Sequence, residues 1–355
     1  MDNGGPRIVA VDLFCGAGGL SYGLQQAGVA VAAGVDIDPA CKYPFESNVE
    51  SPFLEKDIRD LTAGHLRPLW QHGDFRLLAG CAPCQPFSSH RRGRDTSSEE
   101  QWSLLTEFGR LLQEAEPELV TMENVPRIGS SKVFRDFVKL LANLDYDVDF
   151  RSCNGLDYGL AQQRRRLMLL GSRLGPIAVP SGKSKGKTPR TVRDEIGTLP
   201  KLKCGATDPR DPLHRTRGLS EINLKRIRAS TPGGTWEQWP EDLRSPCHRK
   251  KSGATFRNVY ARMEWDKPSP TITTLSYNFG TGRFGHPDQD RGLSLREAAM
   301  LQGFPSTYRF VSPDEPVYFN PLGRLIGNAV PPPLGRAVGE AVKTHALAHT
   351  EQPAA

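Results

Sequence analysis

No stretch of this 355-residue chain approaches the roughly 18 uninterrupted apolar residues that a membrane-spanning helix needs, so a membrane protein is not expected. Cysteine is scarce and odd in number: seven, at positions 15, 41, 81, 84, 153, 204 and 247. Such scattered usage excludes a disulfide-stapled miniprotein and fits a reducing compartment. Residues 1–7 are polar and run straight into an apolar stretch, without the basic, apolar and cleavable order of a secretion signal. The expected location is therefore the cytoplasm. The length allows one large domain with a proper core plus a smaller one.

Charge of one sign is also limited overall, at a net +6, but it is unevenly placed. Residues 183–257 hold 18 Lys and Arg against 8 Asp and Glu, leaving 28 against 32 elsewhere. A basic segment on a near-neutral body is the footprint of a nucleic-acid groove. A solvated basic loop is the plainer alternative.

Along the first half, strand-like runs at 8–14, 29–35, 76–79, 118–122 and 167–171 alternate with helical spacing at 20–27 and 102–115. This alternation predicts an α/β fold with a parallel sheet covered by helices, and ligands in such sheets bind beyond the carboxyl ends of the strands. After Ser172 the texture changes to a basic linker at 181–187 and then to a Pro- and Arg-rich segment of little periodicity. Residues 269–274 alternate as a strand would, 294–302 begin with a serine that fits a capped helix, and 334–348 read as a final helix.

Four motifs carry chemistry. DLFCGAGG at 12–19 is a glycine-rich turn between strand and helix, where backbone amides can approach a ligand. Asp36 ends the next strand, from which a carboxylate can grip ribose hydroxyls. The pair points to a nucleoside-type cofactor, although Ser21 replaces the third glycine of a dinucleotide fingerprint; an ordinary tight turn is the rival reading. APCQPFS at 82–88 follows the fourth strand and puts the Cys84 thiol at the sheet edge, stiffened by two prolines. Cys81 and Cys84 also spell C-x-x-C, but zinc needs a second pair, and Cys247 and His248 are merely adjacent, so no metal site is expected. ENV at 123–125 ends the fifth strand with a carboxylate, and QQRRR at 162–166 precedes the sixth. Singly, these are solvated groups. Together, a nucleophile, an acid and guanidinium donors on one edge suit addition to an electron-poor ring.

The chain resembles the C5-cytosine DNA methyltransferases of bacteria. The resemblance rests on the motifs above, on VDIDP (35–39) and KDI (56–58), and on RGLSLREAAMLQGFP (291–305) and GNAVP (327–331), all in the family's order. It implies a Rossmann-like fold for S-adenosylmethionine-dependent methyl transfer, with a smaller, irregular target-recognition domain. The implied catalytic and cofactor-binding domain spans 1–182 and 322–355, and the target-recognition domain 183–321.

By position, the resemblance implies that Phe14, Gly16, Gly18, Gly19, Asp36, Ile37, Asp57, Ile58, Asn328 and Val330 hold S-adenosylmethionine, leaving S-adenosylhomocysteine as product. Ile37 stands where some relatives carry an aromatic residue. Cys84 is implied as the nucleophile at cytosine C6, Glu123 as the partner of N3 and the exocyclic amine, and Arg166 as the donor to O2, with Arg164 beside it. The target base must then be flipped out of the duplex. Residues 88–98 read as a mobile loop, and Gln85, Ser88, Arg91, Arg92 and Arg94 as DNA contacts. Arg249, Lys250 and Arg257, together with Trp236, Trp239, His248 and Phe256, are candidate base or phosphate contacts in the variable segment. The implied partners are double-stranded DNA and a restriction endonuclease acting on the same site; no membrane is expected, and a monomer is. A transfer-RNA cytosine methyltransferase and a catalytically inactive nucleic-acid-binding relative are the alternatives.

Overall fold

The computed structural model describes residues 5–83, 103–250 and 257–350. Cys84, Gln85, Ser88, Arg91, Arg92, Arg94 and Phe256 lie outside the described residues. The chain divides into two compact units: Met1–Tyr158 with Arg165–Lys185 and Val330–Ala355, and Gly159–Arg164 with Gly186–Ala329.

The first unit is built on β1 (Ile8–Leu13), β2 (Ala30–Asp36), β3 (Phe53–Glu55), β4 (Phe75–Gly80), β5 (Leu119–Asn124), β6 (Asp147–Asn154) and β7 (Arg165–Ser172). Helices α1 (Gly19–Gln26), α2 (Lys42–Val49), α3 (Ala63–Leu66), α4 (Ser103–Ala115) and α5 (Lys132–Asn143) connect them. The second unit carries α6 (Val192–Ile196), the hairpin β8 (Thr207–Asp208) and β9 (Asp211–Arg215), α7 (Glu221–Arg228), α8 (Leu295–Leu301) and α9 (Phe319–Asn328). The chain then returns to the first unit as α10 (Pro332–Thr350). Among the described residues no helix is long and apolar enough to cross a membrane.

The sheet order is β3-β2-β1-β4-β5-β7-β6. Strands β1 and β5 are buried at every position, as expected of strands covered on both faces. One aromatic layer lies between α4 and α5, where Phe108 stacks on Phe137 with ring centroids 5.6 Å apart. The expected all-parallel sheet is mixed at one end: β7 runs antiparallel to both β5 and β6. The chain between Asn154 and Arg165 is too short for a helical crossover, so β7 returns beside β6 in the opposite sense.

Helix α10 packs on α1 through glycines. A Cβ on Gly23 would sit 2.3 Å from the Pro332 carbonyl oxygen and 2.6 Å from the Arg336 amide nitrogen, and one on Gly335 would sit 2.7 Å from the Leu20 oxygen. The obstacles are backbone atoms that cannot swing aside.

The second unit is held more by polar side chains than by a sheet. Its apolar cluster is small: Ile227, Trp236, Trp239, Leu243 and Phe279, with Tyr260 packed against it. Trp236 and Trp239, expected to touch DNA, are 3% and 2% exposed and form this interior. His248 is stacked on Trp236 at 4.3 Å and is likewise buried. Packed into this cluster, none of these three rings is open to a base.

Residues 269–274, expected as a strand, form none: they make one bridge, Ser269 with Gln162, and run into a turn at Thr274. Side chains replace the missing sheet partner. Gln162 Oε1 accepts from the Ile272 amide at 2.9 Å, and Arg164 Nη1 donates to the Ile272 carbonyl at 3.0 Å. Those bonds also draw Gly159–Arg164 into the second unit, which keeps the whole of α9 as well, whereas the sequence-based limits put residues 159–164 in the first domain and divide α9 at 321/322.

Ser294 caps α8 as expected: its hydroxyl accepts from the Glu297 amide, and Glu297 Oε2 accepts from the Ser294 amide. Arg291 donates to both Glu297 oxygens, at 2.8 and 2.7 Å. Burial opposes the Glu297 charge, but Arg291 outweighs it and holds the carboxyl down at about 2. His286 Nδ1 accepts from the Asp288 and Gln289 amides, and burial pushes this imidazole down to about 4.

Two predictions follow from this packing. Gly23→Ala lowers the unfolding free energy by about 2 kcal/mol, read by denaturant titration; an unchanged midpoint contradicts the close helix approach. Because His286 stays neutral in the fold and charges first in the unfolded chain, stability falls as pH drops from about 6.5 towards 4. The loss between pH 7 and pH 5 is about 2 kcal/mol. His286→Asn keeps an acceptor for the two amides and flattens that slope; equal slopes for both proteins exclude His286 as its source.

Candidate active site

The strand order reverses between β1 and β4, the point at which open α/β sheets bind ligands beyond the carboxyl ends of their strands. β1 leads into a turn of unusual backbone. Phe14 has φ 58°, rare for a residue with a side chain, and Gly16 and Gly18 have φ 53° and 85°. Gly18 caps α1, and Gly19, its first residue, is buried. A Cβ on Gly16 would meet nothing within 4 Å, so this turn faces open space.

Asp36 braces the turn from β2. Its Oδ2 accepts from the Gly16 amide and its Oδ1 from the Asp38 amide, both at 3.0 Å. Burial raises this carboxyl above the usual range. Below the turn, Asp12 is buried and accepts from the Ser21 hydroxyl at 2.6 Å through Oδ2, while its Oδ1 has no hydrogen-bond partner among the described residues. Burial pushes Asp12 up to about 7. Next to Asp36, Ile37 is 63% exposed, an unusual position for a large aliphatic side chain.

The other implied cofactor residues are placed variously. Asp57 is occupied by Arg59, whose guanidinium lies 2.6 Å from it and holds the carboxyl below its usual range. Ile58 is buried in the main core, with little side chain left to offer a ligand. Asn328 is exposed at the end of α9 in the second unit, and Val330 is buried in the first.

Two strands along, Glu123 lies near the end of β5 and is only 6% exposed. Arg166 Nε sits 2.9 Å from Glu123 Oε1 as an ion pair, yet Oε1 has no well-angled hydrogen bond among the described residues. Its neighbour Asn124 donates through Nδ2 to the Ala82 carbonyl at 2.9 Å. That bond ties the end of β5 to the segment leading into Cys84. On the same segment, Cys81 Sγ donates to Glu123 Oε2 at 3.0 Å. The contacts of Cys81 and Asn124 are not visible in the motifs, where the C-x-x-C spacing raises a metal site and the lack of a second pair sets it aside.

Arg164 does not join this group. It is 1% exposed, and besides Ile272 its guanidinium donates to the Gly327 and Ala329 carbonyls at 3.1 and 3.2 Å. A cation so enclosed is spent on backbone oxygens, so its part is to build the second unit. Arg249, Lys250 and Arg257 are exposed. Arg249 reaches back to the Glu241 carbonyl, and Arg257 pairs loosely with Glu237 at 3.3 Å.

The arrangement thus offers an open glycine turn with a braced carboxylate, and a buried acid flanked by a cation and a thiol. Comparison with known proteins agrees. The family model of C-5 cytosine-specific DNA methylases matches residues 8–344. The Type II methylase M.HgiDII of Herpetosiphon aurantiacus is 45% identical over 94% of each chain. Type II methyltransferase M1.HphI of Haemophilus parahaemolyticus is 30% identical over 94% of this chain and 86% of its own. Among solved structures, a putative DNA modification methyltransferase encoded within an E. coli prophage superposes with a TM-score of 0.71 at 23% identity, covering 95% of this chain and 99% of that one. The S. pombe Dnmt2 methyltransferase does so at 0.65 and 17%, covering 95% and 98%. The chain belongs to the C-5 cytosine-specific DNA methylases, and the sheet edge that gathers Asp36, Glu123 and Arg166 is the methyltransferase fold of that family.

Proposed function

We propose that the protein transfers a methyl group from S-adenosylmethionine to C5 of a flipped-out cytosine in a specific duplex DNA sequence, and that it protects bacterial DNA in the cytoplasm from a cognate restriction endonuclease. The observation that carries this reading is Glu123, a buried carboxylate with an oxygen short of a donor, held beside Arg166 and tied through Asn124 to Ala82, two residues before Cys84 in the sequence.

The residues present fit the methyl donor. The Gly16 turn faces open space, Asp36 has two oxygens each using one amide and able to accept a diol, and exposed Ile37 offers an apolar face to a base. The orphaned Oδ1 of Asp12 lies beneath the same turn. When bound, S-adenosylmethionine supplies the methyl group that cytosine C5 accepts.

This chain's own groups prepare the ring for that step. Cytosine C5 is a weak nucleophile, so the Cys84 thiolate adds at C6 and pushes electron density towards C5. Glu123 accepts from the exocyclic amine and, carrying a proton into the site, gives it to N3 as the thiolate adds, while Arg166 donates to O2, so the charge that develops on the ring is neutralised. Loss of the C5 proton then lets the Cys84–C6 bond break, which returns the thiolate and restores the aromatic ring. Addition above and below the ring plane requires the base to leave the stack. The basic segment supplies phosphate and base contacts, of which Arg249, Lys250 and Arg257 are exposed candidates.

Expression in a host free of cytosine methylation, followed by deamination sequencing of its DNA and transfer RNA, tests the proposal. Methylation of one short DNA motif is expected, and its loss on Cys84→Ala with DNA and cofactor binding retained. Methylation confined to transfer RNA, or transfer surviving in the variant near the native rate, overturns it. Replacing Arg91, Arg92 and Arg94 together by alanine lowers the slope of log affinity against log salt by about 3 if each meets a phosphate. An unchanged slope removes them from the interface.

A further inference from the structure

The register of the central strands places a residue to which the motifs give no role. β4 pairs with β5 through Gly80 and Met122, so the next residues along, Cys81 and Glu123, stand level at the sheet edge. The backbone of Cys81 is fixed on both sides. Its amide donates to the Leu13 carbonyl of β1 at 3.3 Å, and the following Ala82 carbonyl accepts from Asn124 at 2.9 Å. Its side chain therefore has little freedom, and Sγ lies 3.0 Å from Glu123 Oε2.

The two oxygens of Glu123 are thus addressed differently. Oε1 faces the Arg166 guanidinium, which attracts by charge without a well-angled hydrogen bond, and Oε2 receives the S–H of Cys81. A charge contact alone leaves the terminal torsion of a glutamate free to turn, because that torsion has broad minima. A directed donor on one oxygen stops that rotation and fixes where the other oxygen and its lone pairs point. A thiol suits this place: it donates one weak hydrogen bond, and its bulk is otherwise apolar.

We propose that Cys81 is a positioning residue for the methyl-transfer reaction, holding the Glu123 carboxylate in the orientation that meets the cytosine ring through an S–H···Oε2 hydrogen bond. The proposal rests on the reading of Glu123 given above. Cys81 touches neither substrate nor cofactor in this role. It acts through Glu123, and the loss of its hydrogen falls on turnover and not on affinity.

The test is a double-mutant cycle on the full-length protein with duplex DNA. Cys81→Ala lowers kcat about tenfold, the usual worth of one hydrogen bond to a charged group, while KM for DNA, cofactor affinity and the thermal midpoint stay unchanged. Cys81→Ser, which keeps a donor, recovers most of the rate. In a Glu123→Gln background the Cys81→Ala change has no further effect, because the group it positions is already altered. Unchanged kcat in Cys81→Ala, failure of serine to restore it, or additive losses overturn the proposal. If Glu123→Gln itself turns over at the native rate, the reading of Glu123 fails instead.

A readout independent of activity covers the case in which the alanine variant does not fold. The infrared S–H stretch of Cys81, isolated as the difference between the native protein and Cys81→Ser, lies below the free-thiol position and rises on Glu123→Ala. A band already at the free-thiol position excludes the hydrogen bond and the proposal with it.

Discussion

The parallel pairing of β1, β4 and β5 is the constraint on which the site depends. Leu13 is level with Gly80, and Gly80 with Met122, so three strands finish along one line. Beyond that line the chain leaves in three directions: into the glycine turn, into the Cys81–Pro83 segment, and into the Glu123–Asn124 pair. Backbone pairing sets the spacing, and side chains then lock the departures, with Asp36 bonded to the Gly16 amide and Asn124 to the Ala82 carbonyl. A one-residue slip of β5 would turn Glu123 to the other face and leave Asn124 without its carbonyl. Packing of α1 against α10 fastens the last segment of the chain to the same unit.

The second unit answers a different shortage. With one two-stranded hairpin among its described residues, its remaining segments find no ladder to join. Buried backbone groups still need partners. Arginines and glutamines provide them: Arg164 for three carbonyls, Gln162 for Ile272 and Leu301, and Arg262 for Ile227, Ser230, His286 and Gln289. Such a fold pays in charge burial, and it recovers the cost where the cation also meets an acid, as Arg291 meets Glu297.

How legible each part is follows from the same physics. The covered strands of the first unit write their burial into unbroken apolar runs, so β1, β2, β4, β5 and β7 are visible in the sequence to within a few residues. β6 reads DVDFRSCN, an edge strand mostly open to water, and carries no such signal. Residues 269–274 show the reverse error: they alternate like a strand, yet their partners are side chains from 162 and 164. Trp236 and Trp239 look like contacts for a base because aromatics beside arginines usually are; a small core claims them first. Within QQRRR the limit is sharpest. Arg164 and Arg166 are two residues apart and chemically identical, but a unit boundary passes between them, so one is sealed in a carbonyl cage and the other pairs with Glu123. No local pattern records that boundary.

Charge separates the tasks of the two halves. The sheet edge concentrates acids: burial, and to a lesser degree the neighbouring Asp36, raise Asp12, and Glu123 has Arg166 as its counter-ion. An edge of this kind favours a cationic ligand and a ring that gains hydrogen-bond acceptors for its N–H groups, and it repels phosphate. The surplus of ten positive charges in residues 183–257 lies elsewhere in the chain, where it attracts polyanions. Much of that surplus lies on exposed side chains such as Arg249, Lys250 and Arg257, which water and salt screen until a polyanion displaces the counter-ions. The positive surplus and the acidic edge are thus carried by different stretches of the sequence, so each can be tuned by substitution without altering the other.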